Sequence, residues 1–204
     1  YDFDKAVANV DFLPSAIQRN DAPSSQYRMD MSNSTLFLKL VGSSRILGDF
    51  IVYTSADWRG GGLGFQLQNA YMSTKYFTFG YTIGTFMDIN AIPTTIDYGG
   101  PCGMTFYRAT QLQFRYGFDF GLSMGIAVEA PNVNATGGEY IDVGAQRCPN
   151  IPLFVQYNLH NNPNNRIRLG AVMRDISYTD KVKGVDTDKV GWGVQASMLA
   201  TIGK

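Results

Sequence analysis

Residues 166–174 read RIRLGAVMR. Ile167, Leu169, Ala171 and Met173 hold the odd positions, and Arg166, Arg168, Gly170, Val172 and Arg174 the even ones. Successive side chains of a strand point to opposite faces. The stretch therefore predicts a strand with one apolar face and one face carrying three guanidinium groups. The same split recurs at 118–129, where Phe118, Phe120, Leu122, Met124, Ile126 and Val128 alternate with Asp119, Gly121, Ser123, Gly125, Ala127 and Glu129. It recurs again at 110–116, 151–160 and 190–202, and further strands read at about 28–41, 49–57, 64–73 and 76–84. Tyr1–Asp4 reads as the tail of one more, which makes about ten strands in all.

Composition agrees with strands over helices. Charged residues are 17% of the 204, against roughly 25% in an average soluble domain, while Gly reaches 22 and the aromatics 13%. No apolar run approaches the roughly 18 residues of a membrane helix, which leaves a membrane β-barrel open. Zero formal net charge with no basic run argues against a nucleic-acid partner.

A soluble β-sandwich also alternates. Two features favour an outer-membrane barrel instead. Several strands run about 9 to 13 residues, enough to cross a bilayer when tilted. The connections also alternate between short or tight (42–48, 74–75, Gly117, 161–165) and long (5–27, 85–105, 130–149, 175–189), with 58–63 moderate. Short periplasmic turns and longer external loops are the mark of such barrels. Tyr53, Trp58, Tyr71, Tyr76, Tyr157 and Trp192 are then expected to contribute to interfacial aromatic girdles.

The run 67–88, LQNAYMSTKYFTFGYTIGTFMD, carries Leu67, Ala70 and Tyr71 before a tight turn, then Gly80, Thr82, Thr85 and Phe86. Pro93, Asp97 and GGPCG at 99–103 follow, then Arg108, Arg115 and Tyr116, AVEAP at 127–131, RLGAVMRD at 168–175 and GWGV at 191–194. In order and spacing these strings resemble the DcaP-like trimeric porins, a group close to the phosphate-selective porins, over about residues 28–204. The resemblance implies an antiparallel transmembrane β-barrel of sixteen strands, a homotrimer in the bacterial outer membrane in contact with lipid and lipopolysaccharide, and no cofactor. Such porins are near twice this length, so residues 1–204 read as one barrel segment of a longer chain. Where the family has Ser-Arg in its second strand, this chain has Ser34-Thr35.

On this reading the protein is no enzyme but a passive channel for small, preferably anionic solutes, dicarboxylates or phosphate-like anions among them. Arg28, Lys39, Arg115, Arg166, Arg168 and Arg174 are its expected pore-lining, anion-binding groups, since guanidinium clusters hold carboxylates and phosphates bidentately. The bland alternative for each arginine is a pairing with an acid that stiffens the wall. Residues 85–105 are the constriction-loop candidate, with Met87, Asp88, Asp97 and Tyr98 narrowing the pore. Cys102 and Cys148 fall in two external loops and match no metal motif, and a disulfide between them is expected in an oxidising envelope. Closing that loop would contribute roughly 4 kcal/mol in the chain-entropy model.

Enzymatic constellations are weak. His160 lies beside NNPNN with no Ser or Asp partner in reach of the pattern, and GGGLG at 60–64 lacks the Lys and helix of a phosphate loop. The competing reading is a small outer-membrane barrel with an enzymatic or adhesive role in its external loops.

Overall fold

A computed structural model describes residues 31–60, 64–92, 106–133 and 139–201. Ten strands form one antiparallel sheet: β1 (Leu36–Ser44), β2 (Gly48–Gly60), β3 (Gly64–Thr74), β4 (Phe77–Ile83), β5 (Arg108–Gly117), β6 (Leu122–Glu129), β7 (Ile141–Val143), β8 (Ile151–Asn158), β9 (Arg166–Asp180) and β10 (Val185–Leu199). Nine of them follow one another as a meander, β1 to β6 and then β8 to β10. The short β7 adds to the far end of β9 instead. Among the described residues the sheet is open, with β1 and β10 at its edges.

The pleat sorts side chains as the alternation requires. In β9, Ile167, Leu169 and Met173 are exposed while Arg166, Gly170 and Val172 are buried. In β6, Met124, Ile126 and Val128 are exposed while Gly125, Ala127 and Glu129 are buried. The arrangement is inverted relative to a soluble protein: the large apolar residues face outward and the polar ones are covered. Trp192, at 79% exposure, is the extreme case within the strands. A continuous apolar outer face of this kind needs lipid or another apolar cover.

Aromatic rings mark the rim at the end with the short turns. Tyr76 stacks on Tyr116 at 5.8 Å, Tyr116 meets Phe118 at 4.8 Å, and Phe118 meets Phe120 at 5.3 Å. Tyr157 and Trp192 also point outward. Tyr53 and Tyr71, however, belong to the inner face, with ring centroids 5.6 Å apart. Their parity along the strand sets this: Tyr53 pairs with Lys39 and Tyr71 with Gly80, positions that continue to Gln111 and Glu129 on the same face.

Several boundaries differ from the sequence reading: β2 runs on to Gly60, β6 begins only at Leu122, and β7 lies within the expected loop 130–149, while the expected strand tail Tyr1–Asp4 lies outside the described residues. β1 begins at Leu36, eight residues later than expected. The expected loop 175–189 is mostly strand: β9 continues to Asp180, β10 starts at Val185, and only residues 181–184 turn. This upper hairpin is held by polar pairs on both strands, Thr179 Oγ1 to Asp186 at 2.7 Å and Ser177 Oγ to Asp188 at 2.7 Å. It rises past the apolar band, so its residues lack the alternation that betrays a lipid-facing strand.

Candidate functional site

The chain leaves β4 at Gly84 and turns onto the inner, polar face of the sheet. Gly84 is required there, because a Cβ would lie 2.3 Å from the Tyr107 ring. Residues 84–91 then cross the concave side from β4 toward β10, ending in a short 3-10 turn at Ile89–Ala91. Thr85, Phe86, Met87 and Asp88 are all buried against the wall.

The first anchor is Thr85. Its backbone N–H donates to Glu129 Oε1 at 2.6 Å, and its hydroxyl donates to Gln111 Oε1 at 2.6 Å and accepts from Gln113 Nε2 at 2.8 Å. Glu129 is fully buried and takes a second bond from the Tyr107 hydroxyl at 2.6 Å. Burial pushes the Tyr107 phenol above its ordinary range, and the hydrogen bond to Glu129 adds to the rise. Buried carboxylates need such partners, since an unpaired one would carry a large desolvation cost.

Phe86 seats on small residues. A Cβ at Gly170 would meet it at 3.6 Å, and one at Gly193 at 3.7 Å. The two glycines, on adjacent strands, leave a shallow depression for the ring. Arg168 reinforces this contact: its Nη2 donates to the Thr85 carbonyl at 2.6 Å and to the Met87 carbonyl at 3.3 Å, while its guanidinium lies 3.9 Å from the Phe154 ring centroid.

The last anchor is ionic. Arg166 Nη2 donates to Asp88 Oδ1 at 2.5 Å, and Ser197 Oγ donates to Asp88 Oδ2 at 2.6 Å. The Arg166 and Asp88 side chains are 6% and 2% exposed, so the pair is closed to solvent. Below the segment lies a polar hollow of about 610 Å³, lined by Lys75, Arg115, Asp119, Gln156, Arg166 and Arg168.

The expected pore-lining groups divide into two sets. Arg166 and Arg168 come together, yet they are committed to the infolded segment; Arg166 in particular is buried on Asp88 and cannot also hold a solute. Arg174 lies higher on the same wall with its guanidinium 5.2 Å from the Tyr107 ring. Lys39 and Arg115 are exposed on the inner face, Arg115 with one long bond to Ser73 Oγ at 3.4 Å. Arg28, Asp97, Tyr98 and Cys102 lie outside the described residues. Cys148 is an exposed thiol, free among the described residues, and its expected partner Cys102 lies outside them. His160 sits in the short β8–β9 turn with a positive φ of 53°, where a turn conformation accounts for it.

The anchors that sequence reading passed over are Thr85, Phe86 and Ser197. Thr85 and Phe86 were legible as a motif but not as contacts, and Ser197 was one polar residue among many on its face of β10. Nothing local to Ser197 marks its partner 109 positions earlier.

An open antiparallel meander with an apolar outer face, a polar inner face and a connection folded onto that inner face has the wall architecture of a transmembrane β-barrel. The solved structure of the outer membrane channel DcaP of Acinetobacter baumannii superposes on the chain with a TM-score of 0.66 at 16% identity. The match covers 81% of this chain and 46% of that one, so the chain spans about half the length of that channel. No family model matches the chain, and no curated protein does.

Proposed function

We propose that the chain is part of a bacterial outer-membrane channel for the passive diffusion of small solutes, with a preference for anions such as dicarboxylates or phosphate-like ions. The observation that carries the reading is the inverted sheet. Its apolar face fits a bilayer, its polar face fits a water-filled lumen, and a connection folds onto the lumenal side where it narrows the passage. In this reading the ten strands belong to a sixteen-stranded barrel, assembled as a homotrimer and surrounded by outer-membrane lipid and lipopolysaccharide.

Anion preference rests on the exposed inner-face cations. Arg115 and Lys75 border the hollow beneath the segment, and Lys39 stands on the opposite stretch of wall. Arg168 and Arg174 add partly covered charge. Such fixed charges act over a Debye length of about 10 Å at 0.1 M salt, comparable to a pore radius, so they bias which ion enters.

The test is the reversal potential of the full-length protein in a planar bilayer under asymmetric KCl. Stepwise conductance with Cl⁻ favoured, and less so in Arg115→Ala, is the expected result. Cation preference would keep the channel and overturn its selectivity. Folded, inserted protein that passes no current would overturn the channel in favour of a plugged barrel with an enzymatic or adhesive role.

A further inference from the structure

We propose that Asp88 locks residues 84–91 onto the β9–β10 wall and, by the same contact, withdraws the Arg166 charge from the lumen. One carboxylate would thus set both the bore and the charge a solute meets. The inference deepens the channel reading above and rests on it.

Both Asp88 oxygens are engaged, each from a different strand: Oδ1 by Arg166 on β9 and Oδ2 by Ser197 on β10. Oδ1 also accepts from the Asn90 backbone N–H at 3.3 Å, which starts the 3-10 turn. The carboxylate therefore joins the end of the segment to two neighbouring strands at once. Arg166 depends on it in return. Its Nε is buried without a hydrogen-bond partner, and Asp88 is the acid that compensates it among the described residues. Removing either charge leaves the other uncompensated out of water, which a buried site does not tolerate.

The consequence for permeation follows from charge counting. The intact pair presents no net charge to the lumen. Without the Asp88 charge, Arg166 is left beside a hollow lined by Lys75, Arg115 and Arg168 against the single acid Asp119, and the local field becomes more positive. Without the Arg166 charge, Asp88 is left and the field becomes less positive. The two single changes must act in opposite directions, and their combination must cancel. A residue that merely supports the fold would move both variants the same way.

The experiment is single-channel recording of the full-length protein in asymmetric KCl with Asp88→Asn, Arg166→Gln and the double variant. Asp88→Asn should raise the Cl⁻/K⁺ permeability ratio by up to about 25-fold, because a unit charge acting at 4 Å in water is worth about fivefold for each ion and acts in opposite senses on the two. Arg166→Gln should lower it by a similar factor, and the double variant should return to the parent ratio. A conducting parent whose single variants keep its ratio, or shift it the same way, overturns the inference and leaves the channel reading intact. A parent that does not conduct overturns the channel reading. The lock is then read without current, by limited proteolysis of the folded protein within 85–105: faster cleavage in Asp88→Asn supports it, and an unchanged rate overturns it. Should Asp88→Asn fail to fold, Ser197→Ala removes the bond to Oδ2 and keeps both charges. Faster cleavage there supports the lock, and an unchanged rate overturns it.

Discussion

The two halves of the inner wall use similar residues for different ends. On β5–β10 the polar face is covered: Gln111, Gln113, Glu129, Arg166, Arg168 and Ser197 each hold a named atom of residues 84–91 or of their neighbours. On β1–β3 the same face stays open, with Lys39 exposed and the Tyr53 and Tyr71 rings lining the concave side. Arg166 and Arg168 on the covered half are anchors, whereas Lys39 on the open half and Arg115, which the segment leaves uncovered on β5, meet solvent. Strand parity places a residue on the inner face, but the contact above it decides its role.

The largest break in this contrast should come from the covered half. Arg166→Met leaves Asp88 as a lone buried charge and should cost about 3–5 kcal/mol, measured by urea unfolding of the full-length protein in vesicles. The matching change Lys39→Met on the open half should leave the unfolding midpoint where it was. Equal effects would erase the distinction. Next comes the outer face, which both halves share. Leu169→Arg places a charge in the apolar band and should cost ~2–4 kcal/mol, whereas Thr187→Arg in the upper hairpin should be tolerated.

A smaller effect is expected at the Phe86 seat. Gly193→Leu fills the depression and should cost ~1–3 kcal/mol by overpacking, with faster proteolysis within 85–105. The same change at Gly42 on β1, where a Cβ would fall against the Phe50 ring, should leave cleavage within 85–105 as it was. The smallest effect is a pH dependence at the Thr85 anchor. Burial and Glu129 hold the Tyr107 phenol above its ordinary 10.0. Its contribution is therefore complete below pH 10 and is lost as pH rises through the higher folded value. Alkaline titration of segment release, by proteolysis rate, should show this step, and Tyr107→Phe should abolish it.

Much of the sheet was legible in residues such as RIRLGAVMR, because a lipid-facing strand must be apolar on every second position. Legibility failed where that demand lapses. Residues 175–189 carry Ser177, Thr179, Asp186 and Asp188, which are at home in water on either face, so an extended hairpin read as a loop. In β3 the parity slips at a bulge: Ser55 pairs with Asn69 but Ala56 with Leu67, skipping Gln68. The adjacent polar pair Gln68-Asn69 was the trace of it, and following that slip would have put Tyr71 inside. The inward fold of Met87 and Asp88 has a trace in the sequence, since the small residues Thr78, Gly80, Thr82 and Gly84 share one face of the strand before them and leave room there. Which arginine met which acid was not, because Asp88 and Arg166 are 78 positions apart and several acids were equally available.

The central claim is that residues 84–91 lie inside a conducting lumen and narrow it. The most direct measurement is single-channel conductance of the full-length protein before and after residues 86–91 are replaced by two glycines. The account predicts insertion as before with larger conductance steps. Steps of unchanged size from the shortened protein would contradict it.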